Sequence, residues 1–132
     1  MEPSRVTESR LSDVQRELEA REPIFHRPEL GTSRGHFEDM TEPGFWETGA
    51  SGRRYGREWV LDTVVERHAR GEAHVWDASD FCCQELAADL YLLTYTLVED
   101  QTRVTRRATL WRRHGARWRI VYHQGTIVES AK

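Results

Sequence analysis

Histidine, tyrosine and arginine side chains in the strand-like last third of the sequence could perform acid–base chemistry. His123 follows the apolar run Ile120-Val121-Tyr122, and a neutral imidazole can act as a general base or donate a hydrogen bond to a carbonyl oxygen. The Tyr95 hydroxyl could donate to an oxyanion, and Arg107 could hold a carboxylate or an enolate. We therefore predict His123, Tyr95 and Arg107 as the catalytic candidates.

Each of these three side chains also has a purely structural interpretation. His123 could pair with a backbone carbonyl or with Tyr95, and Tyr95 could equally be an ordinary core residue whose hydroxyl needs a partner. Arg107 could form an ion pair with Glu47 or with another acid. The residues alone leave these alternatives open.

Six further residues are candidates for binding a ligand. Trp46 and Glu47 are neighbours on a short predicted strand, so only one of them can face a pocket. The tryptophan would supply an apolar wall, whereas the glutamate would supply a carboxylate base. Tyr55 and Trp59 follow a glycine-rich loop and could close the entrance of a pocket. The predicted ligand-binding residues are His26, Trp46, Glu47, Tyr55, Trp59 and Thr109.

Sequence signatures of common cofactors, metals and nucleophiles are missing from the chain. There is no GxSxG, no phosphate-binding loop and no GxGxxG sequence. There is also no CxxC, HxxxH or HExxH spacing of metal ligands. Cys82 and Cys83 are adjacent, which favours two reduced, half-buried thiols, with a vicinal redox pair as the alternative. We predict that the protein uses no cofactor and no metal.

Length and composition are typical of one globular domain. The chain has 132 residues, of which 38% are hydrophobic and 31% are charged, and this length suits a single domain over residues 1–132. No apolar run approaches the roughly 20 residues of a membrane span. The first residues have no apolar signal-peptide core. We therefore predict a cytoplasmic protein without a membrane partner.

Charge is distributed unevenly along the chain. Residues 1–100 contain 11 basic and 21 acidic side chains, whereas residues 101–132 contain 8 basic and 1 acidic. Seven arginines lie between Arg103 and Arg119 with no acid among them. A nucleic-acid-binding stripe is one interpretation. The acidic first part favours the other interpretation, a solvated strand surface with ion pairs, so nucleic acid is not the partner that we predict.

Helices precede strands in the predicted order of elements, which indicates an α+β domain. Apolar residues at helical spacing predict helices over residues 7–21 and 57–70, and a shorter helix follows the N-cap candidates Thr32-Ser33. A turn at 42–44 leads into a short strand at 45–48. Further strands are predicted at 75–85, 86–98, 104–113 and 117–128 and form an antiparallel meander.

Alternation along the last predicted strand separates its two faces. Trp118, Ile120 and Tyr122 share one face, and His123 lies on the other. One face should pack on the helices. The face with Trp118, Ile120 and Tyr122 then needs a second cover, and another copy of the same sheet is the simplest one. We therefore predict a homodimer through that face.

The last two predicted strands also carry a family likeness. The run Trp111-Arg112-Arg113-His114-Gly115 and the run Trp118-Arg119-Ile120-Val121-Tyr122-His123 resemble the nuclear-transport-factor-2-like superfamily. The segments EPIFHRPE at 22–29 and FWETGASGR at 45–53 resemble a bacterial branch of unknown function within it. The resemblance covers nearly the whole chain. It implies a cone-shaped α+β barrel in which about three N-terminal helices pack on a strongly curved antiparallel sheet.

The resemblance also implies a class of function. Ketosteroid isomerase and the SnoaL-type cyclases are similar in fold and use carboxylates or a histidine in the cone to move protons beside a carbonyl, without metal or organic cofactor. By this analogy His123 faces the concave side of the sheet. We expect a cofactor-free isomerase, dehydratase or cyclase for an apolar molecule bearing a carbonyl or carboxylate. The alternative is a non-catalytic ligand-binding or dimeric interaction module of the same fold.

Overall fold

The computed structural model describes residues 1–71 and 74–129, so positions 72, 73 and 130–132 of the predicted domain 1–132 lie outside the described part. Within that part, the helices are α1 (Ser12–Glu19), α2 (Arg34–Asp39) and α3 (Arg57–Arg70). The strands are β1 (Thr41–Thr48), β2 (Arg54–Gly56), β3 (Trp76–Ala87), β4 (Leu90–Glu99), β5 (Arg103–His114) and β6 (Arg117–Ile127).

The helices form where the sequence predicts them, and local signals set their ends. Helix α1 is shorter than the predicted 7–21 and buries Val14 and Leu18 on one face. The Ser33 side chain accepts a hydrogen bond from the first turn of α2 and caps it. Helix α3 ends at Gly71, whose φ of 64° is the left-handed conformation that glycine adopts without strain.

One six-stranded sheet has the order β2-β1-β6-β5-β4-β3. Its pairs are antiparallel except β1 with β6, which run parallel, so the sheet is mixed where an antiparallel one was predicted. Hairpin turns fix the direction of β3 to β6. No such turn joins β1 to β6, which are separated by more than half of the chain, so tertiary packing sets their direction.

Two predicted boundaries within the strands are wrong. The predicted turn at 42–44 is part of β1, which begins at Thr41. The predicted long strand 86–98 is divided by a hairpin turn, where Asp89 has a φ of 60° and β4 begins at Leu90. An aspartate tolerates this left-handed conformation better than most residues, and the flanking apolar residues hide the turn from the hydrophobic pattern.

The concave face of the sheet and the helices enclose the core. Helix α3 contributes Val60, Leu61 and Val64, all nearly inaccessible to solvent. The buried apolar residues of the sheet form one cluster with these helical residues: Phe45, Tyr91, Leu93, Tyr95, Leu97, Trp111, Trp118 and Ile120. The sheet therefore buries one face within a single chain and exposes most of the other.

A β-bulge in β6 reverses the predicted alternation of its side chains. Leu110 of β5 pairs with Tyr122, but the next residue, Trp111, pairs with Ile120, which leaves Val121 as an extra residue. Trp118 and Ile120 are consequently buried in the core, at 3% and 1% exposure. The predicted dimer face of Trp118, Ile120 and Tyr122 is therefore wrong, because only Tyr122 lies on the outer face.

Among the described residues, no helix has both the length and the apolar character that crossing a membrane requires.

Candidate functional site

A cavity of about 680 Å³ lies between the concave face of the sheet, the segment after α1 and helix α3. Its walls combine apolar and ionisable side chains. Ile24, Phe25, Val60 and Val64 form part of the apolar wall. The ionisable residues of the wall include His26, Glu47, His74, Glu99, Arg107 and His123.

His123 lines the cavity and is only 4% exposed. Because of the bulge at Val121, its imidazole lies on the inner face, on the same side as the core. Neither ring nitrogen has a hydrogen-bond partner among the described residues. Burial, with the charge of Arg107 nearby, lowers the pKa of His123 to about 3. His123 is therefore a neutral imidazole that offers one N–H and one lone pair.

Glu47, rather than Trp46, faces the cavity. The β1–β6 register places Glu47 directly opposite His123. Burial raises the pKa of the Glu47 carboxyl, and Arg107 and Arg67 only partly oppose this shift. Trp46 lies on the outer face, is 43% exposed and packs on Tyr122 at a ring separation of 4.6 Å. The predicted apolar wall of Trp46 is therefore not part of the cavity.

Arg107 lines the cavity but is held by neighbours on the sheet. Its guanidinium donates to Glu99 at 3.1 Å and to the Thr105 hydroxyl at 3.0 Å. Gly125 is the β6 residue opposite Arg107, and a Cβ there would come within 3.4 Å of the Arg107 Nε atom. The glycine thus leaves room for the arginine to lie flat across the strand.

His26, His74 and Glu99 form a second group of ionisable residues in the cavity wall. Glu99 connects this group to Arg107. The Nδ1 atom of His26 lies 3.1 Å from Nδ1 of His74, and Nε2 of His74 lies 2.8 Å from a carboxylate oxygen of Glu99. Burial, with help from Arg67, lowers the pKa of His26 to about 3. Burial alone would raise the pKa of Glu99, yet Arg107 and the other partners bring it below its usual value.

Tyr55 and Trp59, which we predicted as ligand-binding residues, lie together on the cavity wall. Their rings stack at a centroid distance of 4.3 Å with an interplanar angle of 17°. Trp59 is 53% exposed although it is a large aromatic residue. The pair therefore forms one broad aromatic surface on the cavity wall.

Comparisons with known proteins address the fold. No protein-family model matches the sequence, and no curated protein matches it significantly. Solved structures do match. An uncharacterised protein with a cystatin-like fold from Caulobacter vibrioides is 15% identical and aligns over 88% of this chain and 87% of its own, with a TM-score of 0.67.

Two further structures are similar over most of both chains. A nuclear-transport-factor-2-like protein of unknown function in nutrient uptake from Rhodospirillum rubrum is 16% identical, with 90% and 98% coverage and a TM-score of 0.64. A candidate ketosteroid isomerase from Parabacteroides distasonis is 15% identical, with 95% and 96% coverage and a TM-score of 0.64. The chain has the nuclear-transport-factor-2-like fold. This confirms the predicted cone-type α+β architecture, with a sheet that is curved but not closed.

Two predicted site residues lie beneath the cavity of this nuclear-transport-factor-2-like fold, away from its lining. The Tyr95 hydroxyl donates to the Glu22 carboxylate at 2.7 Å, and Tyr95 is 2% exposed. Thr109 is fully buried beside the same carboxylate, without a hydrogen bond of normal geometry. Neither residue is among those that line the cavity. The Tyr95 hydroxyl is thus occupied by Glu22, in place of a ligand oxyanion.

Glu22 is the buried polar residue that the sequence analysis missed. It is 0% exposed and accepts hydrogen bonds from Tyr95, from Trp111 Nε1 at 3.1 Å and from the backbone N–H of Ile24 at 3.1 Å. Burial raises the pKa of Glu22, and its donors oppose that shift. We call Glu22, Tyr95 and Trp111 the Glu22 cluster. In the sequence, the one indication of such a residue was that a buried Tyr95 hydroxyl needs a hydrogen-bond partner.

His74 and Glu99 were also missed, because nothing in their local sequence distinguishes them from surface residues. Glu99 ends β4, one residue beyond the predicted strand 86–98, and His74 precedes β3 outside any predicted element. Their pairing joins positions 25 residues apart. Only the β3–β4 pairing, which brings the start of β3 next to the end of β4, indicates that His74 and Glu99 are neighbours.

The basic residues of β5 and β6 are paired with acids. Six of the seven arginines between Arg103 and Arg119 form ion pairs within the described chain, with Glu42, Asp39, Asp80, Asp89 or Glu99 as partners. All of those acids belong to residues 1–100. The basic run is therefore a solvated, ion-paired strand surface.

Cys82 and Cys83 are both buried and unbridged. Burial raises the pKa of the Cys83 thiol to about 11, so it is not activated as a nucleophile. Among the described residues, no group of three or more potential ligands could hold a metal ion.

Proposed function

We propose that the cavity binds a small organic molecule and that His123 anchors it. The observation that carries this proposal is the pair of buried ring nitrogens of His123, which have no partner among the described residues. A buried polar group without a partner costs about 1–3 kcal/mol. A ligand that accepts from one nitrogen or donates to the other would recover that energy, so the imidazole favours the bound state.

The cavity suits a molecule that is apolar at one end and polar at the other. Its volume of about 680 Å³ lies within the usual range for small-molecule sites. Phe25, Val60 and Val64 provide apolar wall on the helical side. Glu47, Arg107 and His123 provide polar groups on the sheet side. This distribution supports a ligand with an apolar body and a carbonyl or carboxylate group.

Proton transfer beside a carbonyl is the chemistry that these groups support best. Glu47 lies opposite His123 in the sheet, and its raised pKa suits a general base. In this reaction Glu47 would take a proton from the carbon next to the carbonyl. The His123 N–H would donate to the oxygen as negative charge develops there, and the charge of Arg107 would stabilise it.

Return of the proton determines the net reaction. Delivery by the Glu47 carboxyl to another carbon would give an isomerisation. Delivery to a hydroxyl on the β-carbon, which would leave as water while the Cα–Cβ double bond forms, would give a dehydration. Glu47 would thus be the general base, a role that we first considered for His123. His123 would be the donor to the oxyanion, a role that we first considered for Tyr95. The similarity in fold to a candidate ketosteroid isomerase is in keeping with this chemistry.

A binding experiment tests the ligand-binding proposal. Aryl ketones and arylacetic acids are screened by thermal shift, and the compounds that stabilise the protein are measured by calorimetry. The variant His123→Phe keeps an aromatic ring and removes both nitrogens, so we expect about a tenfold loss of affinity or more. Trp46→Phe is the matched control on the outer face, and it should bind as the wild type does.

Two results would contradict the proposal. Compounds that bind the wild type and His123→Phe with equal affinity would show that His123 is not the anchor. Binding that Trp46→Phe weakens as much as His123→Phe does would place the ligand elsewhere on the protein.

We also propose that two copies associate through the outer face of the sheet. Cross-strand register aligns Leu92, Leu110, Tyr122 and Trp46 in one row across four strands. Trp46 is 43% exposed, and the other three are partly exposed. An exposed apolar row that crosses a sheet is typical of an interface between copies.

Solution mass tests the association. Light scattering should give twice the chain mass of 15.5 kDa, and Leu110→Arg should give the mass of a single chain by placing a charge in the row. Leu86→Arg is the control, because Leu86 is also exposed and lies outside the row. A wild-type protein with the mass of one chain would refute the proposal.

A further inference from the structure

The side chains of Glu99 and His74 form a chain of hydrogen bonds that ends at the cavity residue His26. One carboxylate oxygen of Glu99 accepts from Arg103 at 2.8 Å and from Arg107 at 3.1 Å. The other oxygen is 2.8 Å from Nε2 of His74. With two arginines attached, Glu99 is a carboxylate and can only accept hydrogen bonds.

This acceptor determines which nitrogen of each histidine carries the proton. Since the Glu99 oxygen only accepts, the Nε2 atom of His74 must carry its proton. In neutral His74 the Nδ1 atom then has a lone pair. That lone pair is 3.1 Å from Nδ1 of His26, so the His26 Nδ1 carries the proton and donates it. The proton of neutral His26 is therefore on Nδ1, and its Nε2 has a lone pair.

We propose that His26 presents an unprotonated Nε2 to the cavity and binds a hydroxyl or N–H group of the ligand. This inference relies on the proposed function for the existence of the ligand. His26 lines the cavity, and His74 already occupies its Nδ1 atom. Nε2 is thus the ring nitrogen that His26 can offer to a molecule in the cavity, as a hydrogen-bond acceptor.

The acceptor complements the other polar groups of the wall. Arg107 can only donate, and His123 is free to do either. A ligand matched to all three would carry a carbonyl or carboxylate for Arg107 and His123 and a separate hydroxyl or N–H for His26. The wall therefore selects hydroxy- or amino-substituted carbonyl compounds over those that lack a donor group.

The tautomer of His26 is measurable without any ligand. Nitrogen–proton correlation spectra of the imidazole rings are recorded at about pH 8, where a histidine of ordinary pKa is neutral. We expect the wild-type His26 to carry its proton on Nδ1. In His74→Phe, which removes the acceptor, the proton of His26 should move to Nε2. Trp46→Phe, on the outer face, should retain the wild-type tautomer.

The spectra can overturn the inference directly. A wild-type His26 with its proton on Nε2 would refute it, and so would a tautomer that is the same in His74→Phe as in the wild type. Neither result depends on whether the cavity binds any molecule, so the test stands apart from that of the proposed function.

A matched pair of probes tests the ligand group. Phenol carries an O–H donor, and anisole replaces that hydrogen by a methyl group. Ligand-observed spectra should show wild-type protein binding phenol about tenfold more tightly than anisole. In His74→Phe the preference should fall to about twofold or less, because the His26 Nε2 then becomes a donor.

The two probes separate the failure of this inference from that of the proposed function. Equal affinity of the wild type for phenol and anisole would overturn the donor preference. An unchanged preference in His74→Phe would overturn the role of His26 in it. Failure of both probes to bind would count against the proposed cavity function, while the spectra of the free protein would still decide the His26 tautomer.

Discussion

Two buried polar residues on the same side of the sheet differ in what surrounds them. Glu22 is fully buried and accepts hydrogen bonds from Tyr95, Trp111 and the Ile24 backbone. His123 is almost as buried, yet neither of its ring nitrogens has a partner among the described residues. The Glu22 carboxylate beneath the cavity therefore has its partners within the protein, whereas the His123 imidazole in the cavity wall has none among the described residues.

This difference separates two kinds of buried polar residue within one fold, one with its hydrogen-bond partners inside the protein and one without. A buried carboxylate surrounded by donors contributes to a unique packing and has nothing left to offer a ligand. A buried imidazole without partners costs free energy in the empty protein and offers that energy to a bound molecule. Tyr95, which we predicted as a catalytic candidate, belongs with the first kind, because its hydroxyl donates to Glu22.

The largest expected effect is a loss of proton-exchange rate when Glu47 in the cavity wall is replaced. Glu47→Gln removes the base, so exchange of the α-protons of a bound aryl ketone with deuterated water should slow by about 100-fold or more. Proton spectra follow the exchange directly. Glu2→Gln, at an exposed glutamate, is the control and should exchange at the wild-type rate. An unchanged rate in Glu47→Gln would remove Glu47 from the reaction.

The Glu22 cluster gives the next largest effect, on stability. Glu22→Leu leaves Tyr95, Trp111 and the Ile24 N–H buried without an acceptor, so the free energy of unfolding should fall by about 3 kcal/mol or more. Urea denaturation measures the change. Glu29→Leu, at an exposed position, should change stability by about 0.5 kcal/mol or less. Similar losses in both variants would show that the three donors are not held by Glu22.

The contributions of His123 and Glu22 to stability should change in opposite directions with pH. His123 has an ordinary pKa of 6.5 when unfolded and about 3 when folded. As the pH falls below 6.5, the unfolded chain binds a proton that the folded protein does not, so stability is lost. Between about pH 7 and pH 5, the wild type should lose about 2 kcal/mol more than His123→Gln does.

Glu22 acts in the opposite direction. Its folded pKa is raised above the ordinary 4.5, so its contribution is fully present below that value and is lost as the pH rises through the folded pKa. Glu22→Gln should therefore reduce the loss of stability that occurs on raising the pH. Urea denaturation over a pH series measures both slopes. Parallel curves for the wild type and His123→Gln would contradict the neutral, buried state of His123.

The smallest effect compares two hydroxyls beside the same carboxylate. Tyr95→Phe removes a donor to Glu22 and should cost about 1–2 kcal/mol. Thr109→Val removes a buried hydroxyl without a normal hydrogen bond and keeps its shape, so it should cost less than about 1 kcal/mol. Urea denaturation compares the two variants. A larger loss for Thr109→Val would mean that Thr109 is a full member of the cluster.

Local sequence was sufficient for the elements whose signals are local. Helix α3 spans the predicted residues, because apolar residues at helical spacing lead to a glycine stop at Gly71. Ser33 caps α2, and the hairpin turns that follow β4 and β5 lie close to their predicted places. The motif that ends in His123 correctly indicated the nuclear-transport-factor-2-like fold. Each of these features is decided by residues that are close together in the chain.

Long-range pairing decided the rest of the site. Strict alternation places Trp118 and Ile120 on the outer face, but one extra residue at Val121 reverses the alternation. That reversal keeps both residues in the core and still allows His123 to face the same side. The pairing of Glu22 with Tyr95 joins residues 73 positions apart, so no local pattern reveals the buried carboxylate.

The sequence by itself determined the order of the helices and of five of the six strands, the approximate bounds of most of these elements and the presence of a histidine on the last strand; the short strand β2 was not predicted. Only the tertiary structure decided which polar side chains have partners, because a hydrogen bond depends on distances of about 3 Å between atoms far apart in the chain. Tyr95 and His123 are both catalytic candidates in the sequence. In the structure, Tyr95 donates to the Glu22 carboxylate, whereas His123 lines the cavity.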